Sequence, residues 1–187
     1  MNKKVFYLFS VLVVFLSIIL NCLFSFLARK MMLPLYFDSL FTILATALSG
    51  LWGGIICGVL TNVALWLFDK AMLPFVLCQI CTAVFTHLAF LRYKEKPLPI
   101  DPFLWAGLWS GISNGILGNL IALILLEQSE NISISVQGIF VVMHNLQVAF
   151  FFNGILTNFV DKALCASLCY LLYCLLKKSL PTDIISV

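Results

Sequence analysis

The sequence predicts an all-α membrane protein: six transmembrane helices, with a short re-entrant or interfacial helix before the last span. Three observations predict it. Of the 187 residues 63% are hydrophobic and only 10% charged, where a soluble domain carries roughly 25% charged residues; mean hydropathy is +1.10. Apolar runs of about 20 residues, the length that crosses a bilayer core of about 30 Å at 1.5 Å per residue, recur between polar breaks. The basic residues, finally, sort to one side of the resulting topology.

The elements follow in order. Residues 5–28 form the first span, behind Lys3-Lys4. The run is longer than the roughly 7–15 apolar residues of a signal peptide and no small-x-small cleavage site follows, so it reads as a permanent span. A short loop leads to a second span over 35–49, and Ser49-Gly50 with Gly53-Gly54 supplies a break. The third span covers 52–68 and ends at an interface marked by Asp69-Lys70. The fourth covers 73–91, the polar loop RYKEKPLPIDP follows, and the fifth covers 103–126. After the loop EQSENISIS comes 136–152, apolar but interrupted by His144, Asn145 and Gln147. The last span is 158–176, closed by Lys177-Lys178.

Charge decides how 136–152 is read. With the N-terminus inside and six crossings, Lys3, Lys4, Arg92, Lys94, Lys96, Lys177 and Lys178 lie inside, against Arg29, Lys30, Lys70 and Lys162 outside. A seventh crossing would put Lys177-Lys178 outside and break the bias. The segment is therefore expected to dip in from the outer face. The chain is one integral membrane domain over 1–187, multi-pass in the cell membrane, with both termini cytoplasmic.

Other classes recede. The net charge is +3 and its basic residues form no continuous patch, so no nucleic-acid partner is expected. Seven cysteines, an odd number, all fall in apolar runs, which argues against a disulfide framework. Cys78-x-x-Cys81 has no second pair to complete a metal site and reads as packing. No Ser-His-Asp, Cys-His or HExxH arrangement and no P-loop occurs, so no enzyme activity, metal or cofactor is expected.

Two repeats organise the spans. GLWGGIICGVLTN from Gly50 reappears as GLWSGISNGILGN from Gly107, and GILTNFVDKA from Gly154 echoes GVLTN at 58–62 with Asp69-Lys70-Ala71. Gly54, Gly58 and Thr61, and again Gly111, Gly115, Gly118 and Ala122, place small residues on one helix face, where backbones pack closely in lipid.

Polar residues collect in the outer half of this topology. Asn62, Trp66 and Asp69 share a helix face at i, i+4 and i+7. Tyr36, Asp38, Thr42, Gln79, Asn119, Asn158, Asp161 and Lys162 lie at similar depth, with His144 above them. A concave site has mostly apolar walls and a few placed polar groups, which describes this set. The expected substrate contacts are Asp38, Asn62, Trp66, Asp69, Gln79, Asn119, His144, Asn158, Asp161 and Lys162. Several of them have a plainer reading: Asp69, Asp161 and Lys162 as interface anchors, and Asn62, Asn119 and Asn158 as interhelical hydrogen bonds.

At LPLYFDSLFTILATALSGLWGGIICGVLTN and FVDKALCASLCYLLYCLLKKSLP the chain resembles the substrate-binding S components of energy-coupling factor (ECF) transporters. Members often show a Gly–aromatic–x–Gly–small–Gly run at the second-to-third helix turn and a last helix running from Asp-Lys to Lys/Arg-Leu-Pro. The resemblance covers about 50 residues in motif and most of the chain in architecture. It implies uptake of a vitamin-like micronutrient bound in the outer half. It also implies docking on a shared transmembrane T component and two ATPase subunits. Many members carry Ala-x-x-x-Ala on their first helix, whereas this chain has no alanine before Ala28. Two other classes fit the composition: a membrane-embedded sensor or assembly subunit, and a small ion-coupled carrier.

Overall fold

A computed structural model describes residues 3–33, 35–93, 98–125 and 145–179. Those residues form helices α1 (Lys3–Lys30), α2 (Leu40–Trp66), a 3-10 turn (Lys70–Phe75), α3 (Val76–Leu91), α4 (Asp101–Leu125) and α5 (Leu146–Ser179). Five of the described helical segments are long and apolar enough to cross a membrane, with α2 counted as one and the 3-10 turn joined to α3. Apolar side chains on the outside, such as Leu8, Phe15 and Phe26 on α1 and Trp109 and Ile124 on α4, are exposed. Exposure of this extent suits lipid rather than water.

The second helix is a hairpin. Gly50 adopts φ 76° and ψ −174°, a conformation close to glycine-only, and the chain turns back there. Cys57 Sγ lies 3.9 Å from the carbonyl oxygen of Phe41, sixteen positions away; in a straight helix that separation is about 24 Å. Gly54 lies directly against Thr46, with no room for a Cβ. The expected spans 35–49 and 52–68 thus meet as the arms of one hairpin. The first arm starts at Leu40 because residues 35–38 carry no helical structure.

Two other helix starts differ most from expectation. The fourth span is expected from 73, but α3 starts at Val76, after a 3-10 turn containing Pro74; proline has no N–H for a helical ladder. The last span was placed from 158, but α5 runs unbroken from Leu146. Residues 146–152 are its opening turns, and the rest of the proposed dipping segment (136–144) lies outside the described residues. Asn145 caps this helix, its Oδ1 accepting from the Val148 N–H at 3.1 Å.

Packing runs α1 on α2, α2 on α3, α3 on α4 and α4 on α5, with α2 also touching α5. Glycines set the closest approaches. A Cβ on Gly115 would stand 2.8 Å from Ile155 Cα, and one on Gly58 would stand 2.8 Å from Gln79 Cβ. One end of the bundle is sealed by aromatic rings: Phe103 lies 4.9 Å from Phe90 and 5.4 Å from Tyr170 and Tyr173. The opposite end is polar.

Candidate functional site

The polar end is organised by a buried ion cluster. Lys162 Nζ lies 2.7 Å from Asp161 Oδ2 and 3.0 Å from Asp38 Oδ1. Asp161 is fully buried, Lys162 2% exposed. The other oxygen of Asp161 accepts from the backbone N–H groups of Tyr36 and Phe37, each at 3.0 Å. Phe37 has φ 50°, the left-handed region that non-glycine residues seldom adopt; Asp161 holds it there by taking consecutive N–H groups. The Tyr36 ring completes the cluster, 5.9 Å from the ammonium, within cation–π range.

Burial works against charge on Asp38, but the Lys162 ammonium and the Ser39 hydroxyl prevail, holding the carboxyl below its ordinary value. Buried ions of this kind persist only when paired and hydrogen-bonded. Asp161 and Lys162 sit about 22 Å along α5 from its first residue, buried inside the bundle.

A second polar chain fixes the loop before α2. The Phe41 N–H donates to Asn21 Oδ1 at 3.0 Å, and Asn21 Nδ2 donates to Thr42 Oγ1 at 3.0 Å. Thr42 Oγ1 donates to Gln79 Oε1 at 3.1 Å, and Gln79 Nε2 to the Asp38 carbonyl at 3.1 Å. Three elements thereby hold Asp38 in register with Lys162. Asn21 and Gln79 are both almost wholly buried, so each bond also removes the cost of an unpaired polar group.

Beside this framework lies a cavity of about 130 Å³ between the 35–39 loop, the 3-10 turn, α3, α4 and α5. That is room for a small molecule rather than a single water, which needs about 10–15 Å³. Lys162, Asp38, Gln79, Asn114, Asn119 and Asn158 are among the residues that line it. Phe75 and Met72 add apolar wall.

Of the expected contacts, Asp38, Gln79, Asn119, Asn158 and Lys162 are brought together here. Asp161 stands behind Lys162. Asn62, Trp66 and Asp69 do not line the cavity. Asn62 Nδ2 donates to the Met72 carbonyl at 3.0 Å, and Trp66 is 39% exposed on the outer surface. Asp69 caps the 3-10 turn through the Ala71 N–H and pairs with Arg29 at 3.0 Å. His144 lies outside the described residues.

Asn114 is the carboxamide wall residue missing from the expected set, along with apolar and small wall residues such as Met72 and Phe75. It is 2% exposed, and its Oδ1 has no hydrogen-bond partner among the described residues. A mid-span asparagine is costly in a membrane, so the signal was present in the sequence.

No protein-family model, curated protein or solved structure matches the chain. The geometry therefore carries the class of protein on its own: a multi-pass helical membrane protein with a polar cavity at one end of the bundle.

Proposed function

We propose that this chain is a membrane substrate-binding subunit for uptake of a small organic micronutrient, an S component of an ECF-type transporter. The ligand sits in the cavity beside Lys162, in the outer half of the membrane. The observation that supports this best is the pairing of a fully formed cavity with a buried, charged and hydrogen-bonded frame on one wall. Helix contacts alone need no such cavity, so a sensor or assembly role leaves it unexplained.

In this reading both arms of the α2 hairpin cross the bilayer with α1, α3, α4 and α5, giving six crossings and cytoplasmic termini. The cavity then opens outward and the aromatic seal of Phe90, Phe103 and Tyr173 faces the cytoplasm. Energy for transport comes from a T component and two ATPase subunits. A ligand that binds outward- and inward-facing states unequally is carried when those partners shift the population.

Depth favours one other reading. An ion-coupled carrier needs an acidic residue inside the membrane, and Asp161 is buried well within α5. Its pairing with Lys162 and with backbone N–H groups argues for a fixed structural charge rather than a mobile proton site.

Affinity purification of the tagged chain from its own membranes in mild detergent separates these readings. An ECF-type subunit brings down a membrane scaffold and an ATPase pair in stoichiometric amounts. A chain that purifies alone, and drives uptake in liposomes with a proton or sodium gradient, is a carrier instead.

A further inference from the structure

We infer that the cavity takes a small, positively charged nitrogen ligand that donates hydrogen bonds, such as an amidinium or a protonated amino-heteroaromatic ring. This rests on the reading of the cavity as a ligand site and specifies what enters it.

The walls present oxygen. Asn119 Nδ2 donates to the Phe151 carbonyl at 2.7 Å, and Asn158 Nδ2 donates to the Gly154 carbonyl at 2.9 Å. Carbonyl oxygens only accept, so each carboxamide must turn its NH₂ to the backbone. Asn114 Nδ2 donates to Thr82 Oγ1 at 2.8 Å, and the Thr82 hydroxyl gives its own proton to the Cys78 carbonyl at 3.0 Å. That hydroxyl can only accept from Asn114, which fixes this amide as well. Each amide thus spends one of its two N–H groups on protein and is fixed in orientation, with its Oδ1 turned away from that partner. For Asn114 that oxygen is buried without a partner, a state that costs free energy until a donor arrives.

Charge points the same way. Asp38 and Asp161 face a single cation, Lys162, so the cluster carries one net negative charge. Lys162 directs two of its three N–H groups at the carboxylates, to Asp38 Oδ1 and Asp161 Oδ2. An anion entering here would find one remaining N–H of Lys162 set against amide oxygens, the Asp38 carboxylate and a net negative cluster. A cation would meet those oxygens and the Phe75 and Tyr36 rings, which line the same space and attract positive charge.

Benzamidine, an aromatic amidinium, and benzoate, the carboxylate of the same shape, test the assignment on the full-length protein in lipid nanodiscs. Benzamidine is expected to raise the thermal unfolding midpoint in a dose-dependent, saturable way, and benzoate to leave it unchanged. Asn114→Leu removes the orphan oxygen and should weaken benzamidine binding by about tenfold or more, as expected for a hydrogen bond to a charged group. Asn158→Ala, whose lost bond is local to α5, is the second variant should Asn114→Leu not fold.

Benzoate binding as well as benzamidine, neither probe binding, or both variants binding benzamidine like the wild type overturns the assignment. The uptake role is judged separately, by the partners that co-purify. An anionic micronutrient with ATPase partners would sink the charge assignment and leave that role standing.

Discussion

Asp38 and Lys162 are 124 positions apart in the chain and meet at 3.0 Å inside the bundle. The contact ties the loop between α1 and α2 to the middle of the last helix. One wall of the cavity is made of that junction, so cavity shape and fold stability depend on the same pair.

Removing the cation therefore has a large expected cost. Lys162→Met leaves Asp38 and Asp161 facing each other without a counter-charge, and breaking a buried pair in this way costs about 3–5 kcal/mol. Chemical unfolding in detergent should show a loss of that order. Adding Asp161→Asn to Lys162→Met removes one of the stranded charges and should recover part of the loss. No recovery in the double variant would mean that the two residues are not coupled as described.

Acid should act through Asp38. Its carboxyl titrates below the ordinary carboxylate value, so the folded state binds the proton less readily than the unfolded chain does. The stabilisation is present in full above about pH 4, the unfolded value, and is lost as pH falls through the depressed folded value. Unfolding midpoints measured from pH 7 down to 3 should be level at first and then drop for the wild type. Asp38→Asn should start lower and lose less of its midpoint over that acid range.

Two glycines on one helix should behave differently. A Cβ on Gly115 would meet the backbone of Ile155 at 2.8 Å, whereas one on Gly118 meets Phe75 at 3.7 Å and Cys78 Sγ at 3.9 Å, ordinary contacts beside the cavity. Gly115→Ala should lower stability by about 1–3 kcal/mol, the usual cost of overpacking. Gly118→Ala should leave stability near wild type and weaken ligand binding, because the added methyl occupies cavity space. Equal stability losses at both positions would contradict the packing of α4 on α5.

Trp66→Ala should leave ligand binding unchanged, since Trp66 is 39% exposed and apart from the cavity. A titration with the retained ligand, on wild type and variant in parallel, checks this. A several-fold weakening would move the site toward the outer end of α2.

The contrast between Trp66 and Asn114 shows how far the sequence could be read. Length and hydropathy located the helices, and the Gly50 break located the turn between the α2 arms, because both are local properties of the chain. Helix facing is not local. Asn62, Trp66 and Asp69 share a helical face by spacing, yet Asn62 turns to the Met72 carbonyl and Trp66 to the outside. Asn114 stood in a glycine-rich run that reads as a packing seam. Only the position of α3, which brings Thr82 to its Nδ2, shows which amide atom is left over. Charge limits the number of crossings but says nothing about where a helix begins, so the start of α5 at Leu146 does not follow from it.

Native mass spectrometry of the wild-type chain and Asn114→Leu, released side by side from the same mild detergent, tests the central claim most directly. The account expects a small-molecule adduct on the wild type, sized for a cavity of about 130 Å³, and its loss or strong depletion on the variant. A wild-type chain that carries no small molecule, or an adduct held equally by both proteins, would contradict it.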